Sequence, residues 1–103
     1  MSVYVEAMLL LLPADAGGRT APVSPREGSY RPYTLVDGHL GRARLFEGPP
    51  SLAPGDAARV MLELEADTPE LLRDGAELQL LEHDQRVVGA VTILRVCGRT
   101  TSV

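Results

Sequence analysis

The sequence predicts an all-β fold, a small closed six-stranded antiparallel β-barrel, on three observations. Short apolar runs alternate with clusters of Pro and Gly along the whole chain, the punctuation of a β protein with tight connections. The run from Ala58 to Ala66 places Val60, Leu62 and Leu64 on one side and Arg59, Met61, Glu63 and Glu65 on the other, which is a strand with one wet face and one core face. The 103 residues, 45% of them apolar, suffice for one core and leave no room for a second. We read residues 1–97 as a single barrel and 98–103 as a polar tail. Closure would remove the exposed edges that threaten so small a β domain.

Each element follows from local pattern. Val3 to Leu12 carries Val3, Val5, Ala7, Leu9 and Leu11 on one parity, while the other parity turns apolar at Met8, Leu10 and Leu12. That predicts a strand whose second half is buried on both faces. A long loop follows from Pro13 to Ser29; loops of this length in small domains usually carry function or lack fixed structure. Tyr30 to Val36 and Gly41 to Glu47 flank Asp37-Gly38, a dipeptide suited to the positive φ angles of a tight hairpin. Gly48 to Gly55 is proline-rich and ends in Pro54-Gly55-Asp56, a turn in which Pro fixes one φ and Gly accepts the other.

Thr68-Pro69-Glu70 resembles a helix start, with a capping hydroxyl and Pro at the first helical position. Asp74-Gly75 stops it within two turns, so only a turn or short 3₁₀ segment is expected. Ala76 to Glu82 and Arg86 to Val96 then form the closing hairpin around His83-Asp84-Gln85. Glu, Leu and Gln would also suit a helix there, but Leu78 and Leu80 alternate with Glu77 and Gln79, and the β-branched Val87, Val88, Val91, Thr92 and Ile93 follow, which favours sheet.

Composition narrows the function classes. The net charge is −4, which argues against a general polyanion-binding surface but allows a local basic patch. Every basic residue is Arg and none is Lys, a bias that a GC-rich genome produces as readily as function does. A single cysteine, Cys97, cannot form an internal disulfide and suits a reducing compartment. Leu9 to Leu12 is too short to span a bilayer and lacks the flanks of a signal peptide. A cytoplasmic protein without membrane partners is the expectation.

Read in order, Gly17-Gly18-Arg19, Tyr30-Arg31-Pro32, Pro54-Gly55-Asp56, Pro69 with Gly75 six residues on, and Arg86, Val88, Gly89 and Ala90 resemble the C-terminal, third β-barrel domain of translation elongation factor Tu. The resemblance covers almost the whole chain, from Val5 to about Val96, with an apparent insertion in the first loop. It implies the same barrel and no catalysis: in the family this domain packs on a second barrel, touches the GTPase domain and contacts the T-stem of aminoacyl-tRNA. The chain departs from the family pattern at Thr20-Ala21-Pro22-Val23, at the added stretch Ser24 to Ser29, at Tyr33 and at Gln79. The last two belong to the face the family turns to its GTPase domain, so they count against unchanged docking there.

Candidate binding residues are Gly17, Gly18, Arg19, Tyr30, Arg31, Tyr33, Arg42 and Arg44. Gly17-Gly18-Arg19 could offer backbone amides and a guanidinium to a phosphate; the plainer reading is a loop that needs positive φ, with a solvated Arg. Tyr30, Arg31 and Tyr33 suit stacking on a nucleic acid. Equally, Tyr30 packs at a barrel end and Arg31 pairs with an acid such as Glu27. Arg42 and Arg44 share a strand face, either as part of a basic stripe with Arg19 and Arg31 or as an ordinary solvated face. His39, His83 and Cys97 have no metal-ligand spacing, no nucleophile constellation stands out, and Glu63, Glu65 and Glu82 read as solvated strand faces. No cofactor or metal is expected.

The leading expectation is a non-catalytic binding module without its own GTPase, in contact with a protein partner such as a translation GTPase or related factor, or with tRNA. A truncated portion of a translation GTPase is one alternative. A small-molecule-binding or enzymatic barrel, with His83 or Cys97 beside an acid at its mouth, is the other.

Overall fold

A computed structural model of the protein describes residues 2–26, 30–65, 69–82 and 86–100. Six strands, β1 (Ser2–Leu11), β2 (Tyr33–Val36), β3 (His39–Glu47), β4 (Ala57–Glu65), β5 (Glu77–Leu81) and β6 (Val87–Thr100), close into a barrel in the order β1-β4-β3-β2-β5-β6. Every neighbouring pair is antiparallel. The fold class read from the sequence is therefore the one observed.

Turn chemistry sets the connections. Asp37 and Gly38 both have positive φ, 48° and 78°, the requirement of a two-residue hairpin whose twist matches its strands. At Pro54-Gly55, φ of Gly55 is 91° and the Asp56 amide donates to the Ala53 carbonyl over 3.1 Å, a type II geometry. A similar turn at Asp74-Gly75 has the Ala76 amide donating to Arg73 over 3.0 Å, and ends the short 3₁₀ segment Pro69–Leu71. The expected cap Thr68 and the expected hairpin turn His83-Asp84-Gln85 lie outside the described residues, as does Ala66.

The core is aliphatic. Val3, Val5, Ala7, Leu9 and Leu11 of β1 meet Val60, Leu62 and Leu64 of β4, Leu45 of β3, Leu78 and Leu80 of β5, and Val88, Val91 and Ile93 of β6. At the end of the barrel that holds the β1 C-terminus, the Pro13 loop and the Gly48 loop lock together. Val23 and Leu52 exchange both backbone hydrogen bonds, 2.9 and 2.8 Å, and bury both side chains. The Ser24 hydroxyl donates to the Pro50 carbonyl and Arg26 Nε to the Gly48 carbonyl. Leu72 is buried beside the opposite end, where β5 begins.

Three sequence expectations are corrected. The second half of β1 is not buried on both faces: Met8 and Leu10 are 37% and 43% exposed, because the first loop folds over the barrel end, where Val23 and Ser24 are tied to Leu52 and Pro50. β2 begins at Tyr33 rather than Tyr30, although Pro32 still accepts from the Ala43 amide over 2.9 Å. The last strand runs on past Cys97, with Gly98 opposite Tyr4 and Arg99 opposite Val3. Register shifts at Tyr4/Val5 and Glu6/Ala7 absorb extra residues on β6, so its far end stays paired with the start of β1. The first loop, expected to lack regular structure, contains a 3₁₀ turn, Ala14–Ala16.

Candidate functional site

The residues singled out from the sequence fall into two groups. Gly17, Gly18, Arg19 and Tyr30 gather at the loop-covered end. Gly17 closes the 3₁₀ turn with φ of 87°, and a Cβ on Gly18 would collide with the Leu12 carbonyl oxygen. The amides of Gly17 and Gly18 donate to the carbonyls of Ala14 and Pro13, over 3.2 and 3.0 Å. Neither amide is open to an anion, so the glycine pair serves the turn.

Arg19 turns inward from that loop. Its Nη1 pairs with Glu82 Oε2, and the two side chains are only 22% and 15% exposed. The guanidinium carbon lies 5.1 Å from the Tyr30 ring centroid, within cation–π reach, and Nε donates to the Ala21 carbonyl. The Tyr30 hydroxyl donates to the same carboxylate over 3.1 Å, and Arg86 approaches the other oxygen at 3.5 Å. Glu82 thus clasps the long first loop to the β5–β6 hairpin.

Burial of the Tyr30 phenol, reinforced by the neighbouring Glu82 carboxylate, pushes its pKa well above the ordinary tyrosine value, with Arg19 acting in the other direction. The folded protein therefore keeps this proton at a pH where the unfolded chain loses it, so the contribution to stability is present below about pH 10 and fades above it. Thermal melts from pH 8 to pH 11 should show a smaller decline for Tyr30→Phe than for the wild type. Parallel declines would mean that Tyr30 ionises like an exposed phenol.

The second group lies on the outer surface of β2, β3 and β4. Register places Tyr33 opposite Arg42 and Arg42 opposite Glu65, with Arg44 opposite Glu63 in the next row. Glu63 is fully engaged: Arg44 Nε and Nη2 both lie 3.1 Å from Oε1, and the Tyr4 hydroxyl donates to Oε2 over 3.1 Å. Phe46 backs this cluster, edge-on to Tyr4 at 6.1 Å and under the Arg44 guanidinium at 5.3 Å. Arg42 instead lies over the Tyr33 ring at 5.9 Å. Arg31, Tyr33, Arg42, Ala43, Arg44, Glu63 and Glu65 line a groove of about 130 Å³.

Arg42 and Arg44 do share a face, together with Arg31 and Tyr33, but Arg19 is held apart by Glu82. Glu27, the acid suggested for Arg31, lies outside the described residues. Glu63 and Glu82, read from sequence as solvated, are half-buried acceptors. The signal for Glu63 was present: Glu63 and Glu65 repeat the two-residue spacing of Arg42 and Arg44, which pairs them once the strands are neighbours. Glu82 had no such signal, because its partners come from a distant loop.

Among the described residues no three His, Cys, Asp or Glu side chains are grouped to hold a metal ion, and no helix is long and apolar enough to cross a membrane. His39 is exposed, and Cys97 is exposed with its thiol 3.8 Å from the Arg95 carbonyl; His83 lies outside the described residues. No protein-family model matches the chain, and no curated protein sequence matches it.

Proposed function

We propose that this chain is a non-catalytic, cytoplasmic binding module of the elongation factor Tu third-domain kind, making protein or tRNA contacts without a GTPase of its own. The six-stranded closed barrel is compatible with that kinship. So is the use of its motifs as turns: Gly17-Gly18, Pro54-Gly55 and Gly75 each sit where positive φ or close approach calls for glycine. The observation that carries the binding role is the pair of exposed guanidinium groups, Arg31 and Arg42, flanking Tyr33 in one groove. A cation beside an aromatic face suits both protein anchors and nucleic-acid contacts. The non-catalytic reading is supported by Glu63 and Glu82, whose carboxylates are tied to arginine and tyrosine partners and so act as acceptors in the fold.

Affinity capture from lysate, with and without RNase, tests this when the wild type is compared with Arg31→Gln/Arg42→Gln, which removes both charges without setting a carboxylate opposite Glu65. The double variant should lose a protein or RNA that the wild type retains, by about tenfold or more, while keeping its melting temperature. An identical retained set from both proteins would remove this groove as the binding surface.

A further inference from the structure

We propose that the groove across β2, β3 and β4 binds an extended polypeptide segment carrying an acidic residue and, two residues on, a basic one. The acid would sit between Arg31 and Arg42, and the base on Glu65. This rests on the binding-module reading above and adds the class of partner.

The two rows of charges on this face are satisfied differently. In the row formed by Arg44, Glu63 and Tyr4, each polar group has a partner within the fold. In the adjacent row, Tyr33, Arg42 and Glu65 stand opposite one another, yet Arg42 lies over the Tyr33 ring and makes no ion pair with Glu65 among the described residues. Arg31 likewise has no ion pair or hydrogen bond among the described residues. The groove therefore presents two exposed cations and one exposed anion, which together call for a ligand of both signs.

That mixture separates the two classes of macromolecule. A nucleic acid would satisfy the arginines, but its repeating phosphates would also face Glu65, unpaired among the described residues, and like charges across an interface weaken binding and reject the partner. A polypeptide can change sign between neighbouring side chains. The reach fits as well: from midway between β2 and β3 to β4 is one and a half strand spacings, roughly 7 Å, and side chains on one face of an extended chain repeat at about 6.8 Å. An acid and a base on adjacent residues would point to opposite faces and could not both engage.

Four probes discriminate in NMR titrations of the intact chain: a peptide of repeated Glu-Thr-Lys-Thr, one of Glu-Thr-Glu-Thr, one of Glu-Lys-Thr-Thr, and a single-stranded oligouridine. The first should move the amides of residues 31–33, 42–44 and 63–65 at the lowest concentration. Arg31→Ala/Arg42→Ala should weaken it about tenfold, and Glu65→Gln should abolish its advantage over the all-acidic peptide. Tighter binding of oligouridine through the same arginines, strengthened by Glu65→Gln, overturns the proposal while leaving the binding-module reading intact. So does equal binding of the first and third peptides. If none of the four probes moves these amides the proposal falls, and if Arg31→Gln/Arg42→Gln also captures the same molecules as the wild type, the groove's role in binding falls with it.

Discussion

Leu62→Ala is expected to destabilise the protein by about 3 kcal/mol, within the range of 2–5 kcal/mol for truncating a buried leucine. Leu62 is fully buried, lies opposite Val5 on β1 and Leu45 on β3, and so fills the centre of three consecutive barrel strands. The surrounding side chains are aliphatic, with no described Trp or Phe among the fully buried ones, and β-strands fixed by ladders on both sides collapse poorly into a cavity. For a domain whose whole stability is about 5–15 kcal/mol, that loss is large. Urea unfolding monitored by circular dichroism checks it. A change below about 1 kcal/mol would mean that the site repacks and that the closed barrel is looser than its burial pattern implies.

Gly18→Ala should cost about 1–3 kcal/mol, the range for forcing an extra carbon into a filled site. The new Cβ would run into the Leu12 carbonyl, its carbon at 2.7 Å, and approach the Pro13 oxygen to 2.9 Å, and backbone cannot swing away as a side chain can. Gly17→Ala meets nothing within 4 Å but keeps φ of 87°, so it should cost about 1 kcal/mol through left-handed strain alone. The same urea curves rank the two variants. If Gly17→Ala were the more damaging, conformational freedom rather than close packing would be the reason for the glycine pair.

Much of the fold was legible because its signals are local. Period-two alternation fixed the inward face of β4, and Asp37-Gly38 and Pro54-Gly55 fixed two turns. The strand order was not legible locally, since β1 lies between β4 and β6, partners far away in sequence. The error at Met8 and Leu10 has a similar origin. An apolar outward parity has the same pattern whether or not the strand is covered, and only the path of the first loop, tied to Leu52 and Pro50, leaves Met8 and Leu10 exposed. At the site, the shared face of Arg42 and Arg44 followed from strand parity. The inward turn of Arg19 did not, because its acceptor lies 63 residues away.

The most direct measurement compares Arg19→Ala with Arg31→Gln/Arg42→Gln on two readouts, melting temperature and capture of bound partner. Opposite outcomes are expected: Arg19→Ala removes the cation over the Tyr30 ring and leaves Glu82 with Arg86 alone, lowering the melting temperature while binding persists, whereas the double variant keeps its melting temperature and loses the partner. Loss of binding with unchanged stability in Arg19→Ala, or full binding by the double variant, would contradict the division between an arginine that holds the fold and a pair that meets another molecule.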